Sequence, residues 1–218
     1  IKAFAEAEGR GYEIEHLENP IYGLPRSTQQ SDMSFVKDLP LSSKGNTIEP
    51  RDYQLEAVEH ALNNKSALLL SPTASGKSLI IYLICRWFLE NHDSQILLVV
   101  PTTSLVEQMA SDFADYATTD DSFDPDQMIH KIYGGREKIQ GAKIVISTWQ
   151  SIHKLSKDWF SRFGCVIGDE AHNFKAKSLT SILTKCTEAE DRIGTTGTLD
   201  GTTTHKLVLE GVFGPVYK

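Results

Sequence analysis

The chain is poor in cysteine and has no cluster of metal-binding side chains. Its three cysteines and seven histidines are scattered. Cys85 and Cys165 lie in apolar runs, which predicts that they are small core residues. An odd, unclustered cysteine count is typical of a reducing compartment, so we expect a cytoplasmic protein.

Positive charge is scarce as well. The formal net charge of −7 excludes a generally basic coat for nucleic acid. Any contact with nucleic acid must therefore be local, made by backbone amides, hydroxyls and a few cations. The sequence also lacks a signal peptide, an apolar run long enough to span a membrane, and internal repeats.

What is present has the composition of an ordinary globular protein, 40% apolar and 23% charged. A length of 218 residues suits one domain, alone or with an appendage. A short helix over residues 1–8 and a strand over 12–17 are predicted before a stretch rich in proline, glycine and hydroxyl residues. We predict that residues 1–48 are the end of an accessory module with its linker, and that residues 49–218 form the main domain.

The main domain alternates solidly apolar strands with helical stretches. Strands are predicted over residues 67–70, 95–100, 128–133, 143–147, 165–168 and 192–195. Helices are predicted over residues 52–63, 79–89, 105–116 and 203–212. This pattern predicts an α/β fold, with a mostly parallel sheet covered by helices on both faces.

Smaller features complete this prediction. Asp52 and Ser104 stand where the first and third of these helices need an N-cap. Tyr53 falls on the inward face of the first helix. The acidic stretch 118–127 is predicted to be a solvated loop, as charge runs usually are.

The stretch from Ser71 to Ser78 lies between an apolar strand and an apolar helix, the context that a phosphate-binding loop needs. Backbone N–H groups at such a loop point at an anion, and the helix dipole adds to the attraction. Lys77 would reach the β- and γ-phosphates of ATP, and the Ser78 hydroxyl would ligate Mg²⁺. Ser71 replaces the usual first glycine and is small enough to preserve the turn. The loop residues predicted to bind phosphate are Thr73, Ala74, Ser75, Gly76, Lys77 and Ser78.

Two acids follow another apolar strand. Burial of the Asp169 and Glu170 carboxylates at a strand end costs free energy, which suggests that they have a functional role. Asp169 would hold Mg²⁺, and Glu170 would orient and deprotonate an attacking water. The polar clusters at residues 71–78, 101–104, 134–136, 148–151, 169–172 and 196–198 each follow a predicted strand in this way. Because ligands bind beyond the carboxyl ends of parallel strands, we expect the clusters to converge at one edge of the sheet.

Together these motifs resemble those of the first RecA-like domain of superfamily-two helicases. Residues 51–54 resemble the adenine-reading Q motif, and residues 71–78 resemble motif I. Residues 101–105 with Gln108 resemble motif Ia, and residues 169–172 match motif II in its Asp-Glu-Ala-His form. Residues 196–198 stand where motif III does. The motifs occur in the family's order and span residues 49–218.

Further stretches resemble the phage UvsW-type DNA helicases: residues 1–4, 149–151, 195–200 and 205–218. This resemblance implies ATP-driven remodelling of branched DNA in recombination, repair and replication. Fork regression, Holliday-junction branch migration and R-loop unwinding are the reactions implied, in the cytoplasm of a phage-infected host. No motif reads a 2′-hydroxyl, so the choice of DNA over RNA rests on the resemblance.

The resemblance also implies residue roles. Gln54, with Arg51 nearby, would read the adenine edge, unless it is a helix-surface residue. His172 would join Lys77, Asp169 and Glu170 as a catalytic residue. With Thr196 and Thr198 it would couple the γ-phosphate state to the DNA, unless the two hydroxyls only cap a turn. Residues implied to touch the sugar-phosphate track are Thr102, Thr103, Gly135, Arg136, Thr148 and Gln150.

Some alternatives stay open. Arg136 would serve equally as a solvated charge, and Trp149 is a core residue rather than a base-stacking one in the favoured interpretation. The family needs a second RecA-like domain whose arginines complete the ATP site, and no match to its motifs follows Phe213. We therefore expect a fragment that hydrolyses ATP poorly alone, since a missing arginine finger lowers the rate by about 10³–10⁵. The competing functions are a duplex-translocating motor of a restriction or chromatin-type complex and a non-catalytic nucleotide-binding scaffold.

Overall fold

The computed structural model describes residues 31–72, 75–135, 141–174, 176–198 and 203–218. The helix predicted in residues 1–8 and the strand predicted in residues 12–17 lie outside these ranges. The strands are β1 Ser42–Ser43, β2 Asn46–Thr47, β3 Ser66–Leu70, β4 Gln95–Val100, β5 Ile129–Ile132, β6 Ile144–Thr148, β7 Phe163–Gly168, β8 Asp191–Thr196 and β9 Val216–Tyr217. The helices are α1 Phe35–Asp38, α2 Asp52–Asn64, α3 Lys77–Asn91, α4 Thr103–Tyr116, α5 Pro125–Met128, α6 Trp149–Ile152, α7 Lys157–Phe160, α8 Ala176–Lys185 and α9 Thr203–Phe213, with a 3-10 turn at Ala171–Asn173.

Within the described ranges, seven strands form one sheet in the order β5-β6-β4-β7-β8-β3-β9. The pairs of neighbouring strands are parallel. Helices cover both faces of the sheet. Alternate residues of a strand point to opposite faces, so each strand contributes side chains to two apolar layers. In β4, Ile96 and Leu98 join the layer that contains α2, α3 and α4, whereas Leu97 and Val99 join the layer of α8 and α9. The predicted α/β fold with a parallel, doubly covered sheet is confirmed.

The cap predictions for two helices were wrong. Asp52 is the first residue of α2, and the N-cap is Arg51, whose backbone N–H donates to Gln54 Oε1 at 2.9 Å. Tyr53 is 43% exposed rather than inward-facing. In α4 the N-cap is Thr102, whose hydroxyl oxygen accepts from the Leu105 N–H at 3.3 Å, so Ser104 is already helical.

The acidic stretch 118–127 is not simply a solvated loop. Asp120 is 9% exposed, and its carboxylate accepts a hydrogen bond from Arg86 of α3, itself buried. Phe123 is buried beside them, and Arg86 lies over its ring at 5.1 Å. A buried guanidinium inside an apolar helix needs an acid partner. Composition alone therefore misjudged this segment, because its partner lies far away in sequence.

Residues 31–48 pack against the same core as the main domain. Leu41 is buried in the layer of α2, α3 and α4, and Asp115 of α4 accepts from Lys44 N–H at 2.9 Å and from the Ser43 hydroxyl at 3.0 Å. The predicted division at residue 48 stays a prediction. Among the described residues, none of the helices has the length and apolar character needed to cross a bilayer.

Candidate functional site

Strand pairing brings the predicted site residues together at one edge of the sheet. Leu70, at the end of β3, pairs with Thr196, at the end of β8. Gly168, at the end of β7, pairs with both Gly194 and Val99. The loop from Ser71, the acids after Gly168 and the residues after Thr196 therefore share this edge, as expected for a parallel sheet.

The loop after β3 opens with an ordinary backbone conformation at Ser71. Its N–H donates to the Thr196 carbonyl at 2.9 Å, and its hydroxyl hydrogen-bonds that of Ser75. The Ser75 N–H donates to the Pro72 carbonyl at 3.2 Å. No positive φ occurs at Ser71, so serine can replace the usual glycine. Thr73 and Ala74, predicted to bind phosphate, lie outside the described residues.

Gly76 is the N-cap of α3, with φ +77°, a left-handed conformation that favours glycine. A Cβ at Gly76 would collide with the Gln54 side-chain nitrogen. That nitrogen donates to the Ser75 carbonyl at 2.9 Å, and the Tyr53 hydroxyl donates to the same carbonyl at 2.9 Å. Gln54 is therefore buried against the loop, which excludes the helix-surface alternative. The absence of a side chain at Gly76 leaves room for Gln54 to pack against the loop.

Lys77 and Glu170 form an ion pair in the site. The Lys77 ammonium, on the first residue of α3, donates to Glu170 Oε1, and both side chains are mostly buried. Glu170 has φ +50°, rare for a residue other than glycine. Such conformations are concentrated at functional sites, where the surroundings impose them. Each charge neutralises the other here, so a charged ligand would have to separate the pair.

Asp169 is 4% exposed, and its position is set by three hydrogen bonds. Its N–H donates to the Val99 carbonyl at 2.9 Å. Its Oδ1 accepts from the Thr195 hydroxyl at 2.6 Å and from the Glu170 N–H at 2.9 Å. Burial raises the pKa of the Asp169 carboxyl, while the Thr195 hydroxyl and the Lys77 ammonium oppose that rise. Both side-chain bonds end on Oδ1, so neither uses Oδ2.

The residues present fit a Mg²⁺–nucleotide complex. The Ser78 hydroxyl follows Lys77 on α3 and hydrogen-bonds the Tyr116 hydroxyl at 2.8 Å. In the part of the chain that the structure describes, no group of three acidic, histidine or cysteine side chains could hold a metal alone. Mg²⁺ is usually bound by one or two protein oxygens, with water and phosphate as the other ligands. Ser78 and Asp169 are the residues that would hold it.

A short hydrogen-bonded chain joins motif II to the end of β8. His172 Nδ1 lies 2.7 Å from the Thr196 hydroxyl oxygen, and that hydroxyl donates to the Thr198 carbonyl at 2.7 Å. Because the Thr196 proton is used, His172 is the donor in its Nδ1–H form. His172 Nδ1 is also 3.4 Å from Glu170 Oε2. The predicted coupling residues His172, Thr196 and Thr198 are therefore in contact. Thr198 takes part through its backbone carbonyl rather than through its hydroxyl.

The residues implied to touch DNA lie at the ends of three neighbouring strands. Thr102 and Thr103 are exposed after β4, Gly135 is exposed after β5, and Gln150 is exposed after β6. Gln150 Nε2 donates to the Pro101 carbonyl at 3.3 Å, which joins two of these segments.

Three other residues of this group need separate comment. Thr148 differs from the expectation, because it is 4% exposed and its hydroxyl bonds that of Ser151. Arg136 lies outside the described residues. Trp149 is partly buried against the layer of α8 and α9, as in the favoured interpretation.

Three supporting residues were missed from the sequence. Thr195 bonds Asp169, Tyr116 bonds Ser78, and Tyr53 bonds the loop carbonyl of Ser75. Thr195 had a local signal, because it directly precedes the motif at Thr196. Tyr116 had no local signal, because it is the last residue of α4 and the motif of that helix is at its N-terminal end.

Comparison with known proteins agrees with this geometry. Residues 47–201 match the family model described as "Type III restriction enzyme, res subunit". The ATP-dependent DNA helicase uvsW of Enterobacteria phage T4 is 38% identical over 188 residues, which cover 84% of this chain and 36% of that protein. The DNA 3'-5' translocase XPB2 of Sulfurisphaera tokodaii is 30% identical over 186 residues, or 85% of this chain and 36% of that protein.

The fold is also shared. The crystal structure of the UvsW helicase from bacteriophage T4 superimposes with a TM-score of 0.83 and 35% identity, over 100% of this chain and 76% of that one. This confirms the RecA-like α/β fold. The chain spans about a third of the length of the two curated relatives. The chain belongs to the superfamily-two helicases, in the family that includes the type III restriction enzyme res subunit and UvsW.

Proposed function

We propose that the chain is the ATP-hydrolysing part of a DNA helicase or translocase motor. The observation that carries the proposal is the meeting of Lys77, Glu170 and the buried Asp169 at the sheet edge, directly beside the loop of Ser71 to Ser78. A purely structural role would not require a carboxyl that is 4% exposed beside an ion-paired lysine and glutamate. The relation to uvsW and XPB2, which are named as DNA helicase and translocase, supports the choice of DNA.

The residues divide the chemistry between them. Lys77 turns from Glu170 to the β- and γ-phosphates, which leaves Glu170 free to take a proton from the attacking water. Ser78 and Asp169 would hold Mg²⁺, which neutralises phosphate charge when bound. Gln54, with Arg51 nearby, would read the adenine edge. His172, bonded to Thr196, follows Glu170 and reports the phosphate state to the end of β8.

The proposed substrate is branched DNA, as at regressed forks, Holliday junctions and R-loops, in the cytoplasm of a host cell. Exposed Thr102, Thr103, Gly135 and Gln150 would contact the sugar-phosphate track through hydroxyl, amide and backbone groups. Such contacts suit a protein with a net charge of −7, a value that argues against a generally basic coat. A second RecA-like domain would supply the arginines that complete the ATP site, so turnover by residues 1–218 alone should be low.

ATP turnover, with and without forked DNA, tests the proposal in the protein with any sequence that flanks these 218 residues included. We expect turnover that rises with forked DNA and is lost in Lys77→Ala and Glu170→Gln. Glu170→Gln should still bind nucleotide, because only the base is removed. Lys177→Ala, at an exposed lysine of α8, is the matched control and should behave as wild type. Turnover that survives in both site variants would contradict the proposal.

A second function is favoured by the family match, which is to a restriction enzyme subunit, and by the translocase XPB2. The motor would then move along duplex DNA without separating the strands. Strand displacement from a fork and displacement of a triplex-forming strand from a duplex distinguish the two functions. A helicase displaces the paired strand of the fork, whereas a duplex translocase displaces only the third strand.

A further inference from the structure

The Ser78 hydroxyl has a protein partner on α4. The Tyr116 hydroxyl lies 2.8 Å from Ser78 Oγ. Ser78 is in the first turn of α3 and Tyr116 is the last residue of α4, so the contact joins the two helices.

Hydrogen-bond accounting leaves Ser78 Oγ able to bind a cation while it is bonded to Tyr116. A serine hydroxyl has one proton and two lone pairs, and either hydroxyl can donate in this contact. The contact uses at most one of the two lone pairs of Ser78, so at least one remains for a cation in either case. The contact with Tyr116 selects one rotamer of a short side chain that otherwise has three.

Tyr116 is itself held firmly enough to impose that rotamer. Its ring packs beside Tyr82 of α3, with ring centroids 5.5 Å apart, and Tyr82 also packs on Phe113 at 5.2 Å. Both Tyr82 and Phe113 are fully buried. The α3–α4 interface thus presents the Tyr116 hydroxyl to Ser78 from a rigid aromatic cluster.

We infer that Tyr116 is a positioning residue for Mg²⁺ binding: its hydroxyl holds the Ser78 hydroxyl in the orientation that the cation of a bound nucleotide needs. The inference rests on the proposed function, because it deepens the role of the same site. Tyr116 is in α4, and none of the phosphate-binding motifs described above lies in that helix. Tyr116 does not touch the nucleotide in this arrangement and acts only through Ser78.

The test is an equilibrium titration of a fluorescent, non-hydrolysable ATP analogue at rising Mg²⁺ concentration, with any flanking sequence of the protein included. In Tyr116→Phe, the Mg²⁺ concentration for half-maximal binding should rise about three- to tenfold, the loss expected for one hydrogen bond. Binding measured in EDTA should stay unchanged. An unchanged or lower Mg²⁺ midpoint would overturn the inference.

Two further variants separate positioning from simple structural damage. Tyr82→Phe is the matched control, because it removes a hydroxyl that accepts from Arg86 at 2.8 Å in the same interface without touching Ser78. Its Mg²⁺ midpoint should stay within about twofold of wild type. In a Ser78→Ala background, Tyr116→Phe should add no further shift, since the residue acts through Ser78. An equal shift in that background would overturn the inference, whereas a wild-type protein that binds no nucleotide would overturn the proposed function and this inference together.

Discussion

At the residue scale, Thr195 and Thr196 are neighbours on β8 that have different partners. Successive residues of a strand point to opposite faces. The Thr195 hydroxyl donates to Asp169, whereas the Thr196 hydroxyl contacts His172. The end of one strand therefore positions both the proposed Mg²⁺ ligand and the proposed coupling residue.

The Thr195 contact predicts a pH effect. Burial raises the pKa of Asp169 and the Thr195 hydrogen bond lowers it, so removing the hydroxyl in Thr195→Val should raise that pKa further. As the proposed Mg²⁺ ligand, Asp169 would act in its ionised form, above its pKa, and the acid limb of the turnover–pH profile should therefore move to higher pH. Profiles of kcat against pH measure the shift. Thr195→Ser keeps the hydroxyl and should retain the wild-type profile, and an acid limb that moves equally in both variants would contradict the prediction.

Gly76 allows a controlled comparison of two glycines with the same backbone angle. Gly76 and Gly45 both have φ +77°, but a Cβ meets Gln54 at Gly76 and has nothing within 4 Å at Gly45. Both alanine variants should lose about 1–2 kcal/mol for the left-handed conformation. Only Gly76→Ala should also displace Gln54 and weaken nucleotide binding, by about tenfold or more. Denaturant unfolding and nucleotide titration check this, and equal binding by the two variants would contradict it.

At the scale of elements, the solidly apolar strands were predictable because burial on both faces leaves little choice of residue type. The predicted strands match β3 to β8 within a few residues. The short helices α6 and α7 and the two-residue strand β9 were missed, because a single turn or a single pair of residues has no detectable period. Helix α8 was missed as well, although its length of ten residues was sufficient for a periodic signal.

The buried ion pair between Arg86 of α3 and Asp120 should contribute strongly to the free energy of unfolding. In Arg86→Met, Asp120 loses its buried charge partner, and the free energy of unfolding should fall by about 3–5 kcal/mol. Lys206→Met is the control, because its ion pair with Glu210 spans 3.9 Å at the surface and should contribute less than about 1 kcal/mol. Urea unfolding of both variants measures the difference. A loss below 1 kcal/mol in Arg86→Met would show that Asp120 is adequately solvated.

At the scale of the whole molecule, one parallel sheet separates two apolar layers. Residues 31–48 pack on the layer that contains α2, α3 and α4. The contribution of this segment can be measured at Leu41, which is 3% exposed. Leu41→Ala should lower the free energy of unfolding by about 2–5 kcal/mol through lost burial and the cavity it leaves. Leu207→Ala, at a position 62% exposed, should change it by less than about 0.5 kcal/mol. Equal effects in denaturant unfolding would show that residues 31–48 are not part of the cooperative unit.

The site itself was only partly predictable. Lys77, Asp169 and Glu170 could be proposed because their chemistry and their places after strands are local properties of the sequence. Tyr116 and Arg86 could not be assigned their partners, because Tyr116 meets Ser78 and Arg86 meets Asp120 only after α3 and α4 have packed. Residues that react are thus visible in the sequence, whereas distant partners such as Tyr116 depend on helix packing.

The sheet order has a consequence for the synthesis of the protein. Strand β3 leads into the loop of Ser71 to Ser78. Within the described residues its two neighbours in the sheet are β8 and β9, which come much later in the chain. A ribosome therefore releases the loop long before Ser66 can find its partner Arg192. Until then β3 is an unpaired apolar segment, the kind of nascent surface that chaperones cover. The ATP site is among the last parts of the domain to form, although its loop is made early.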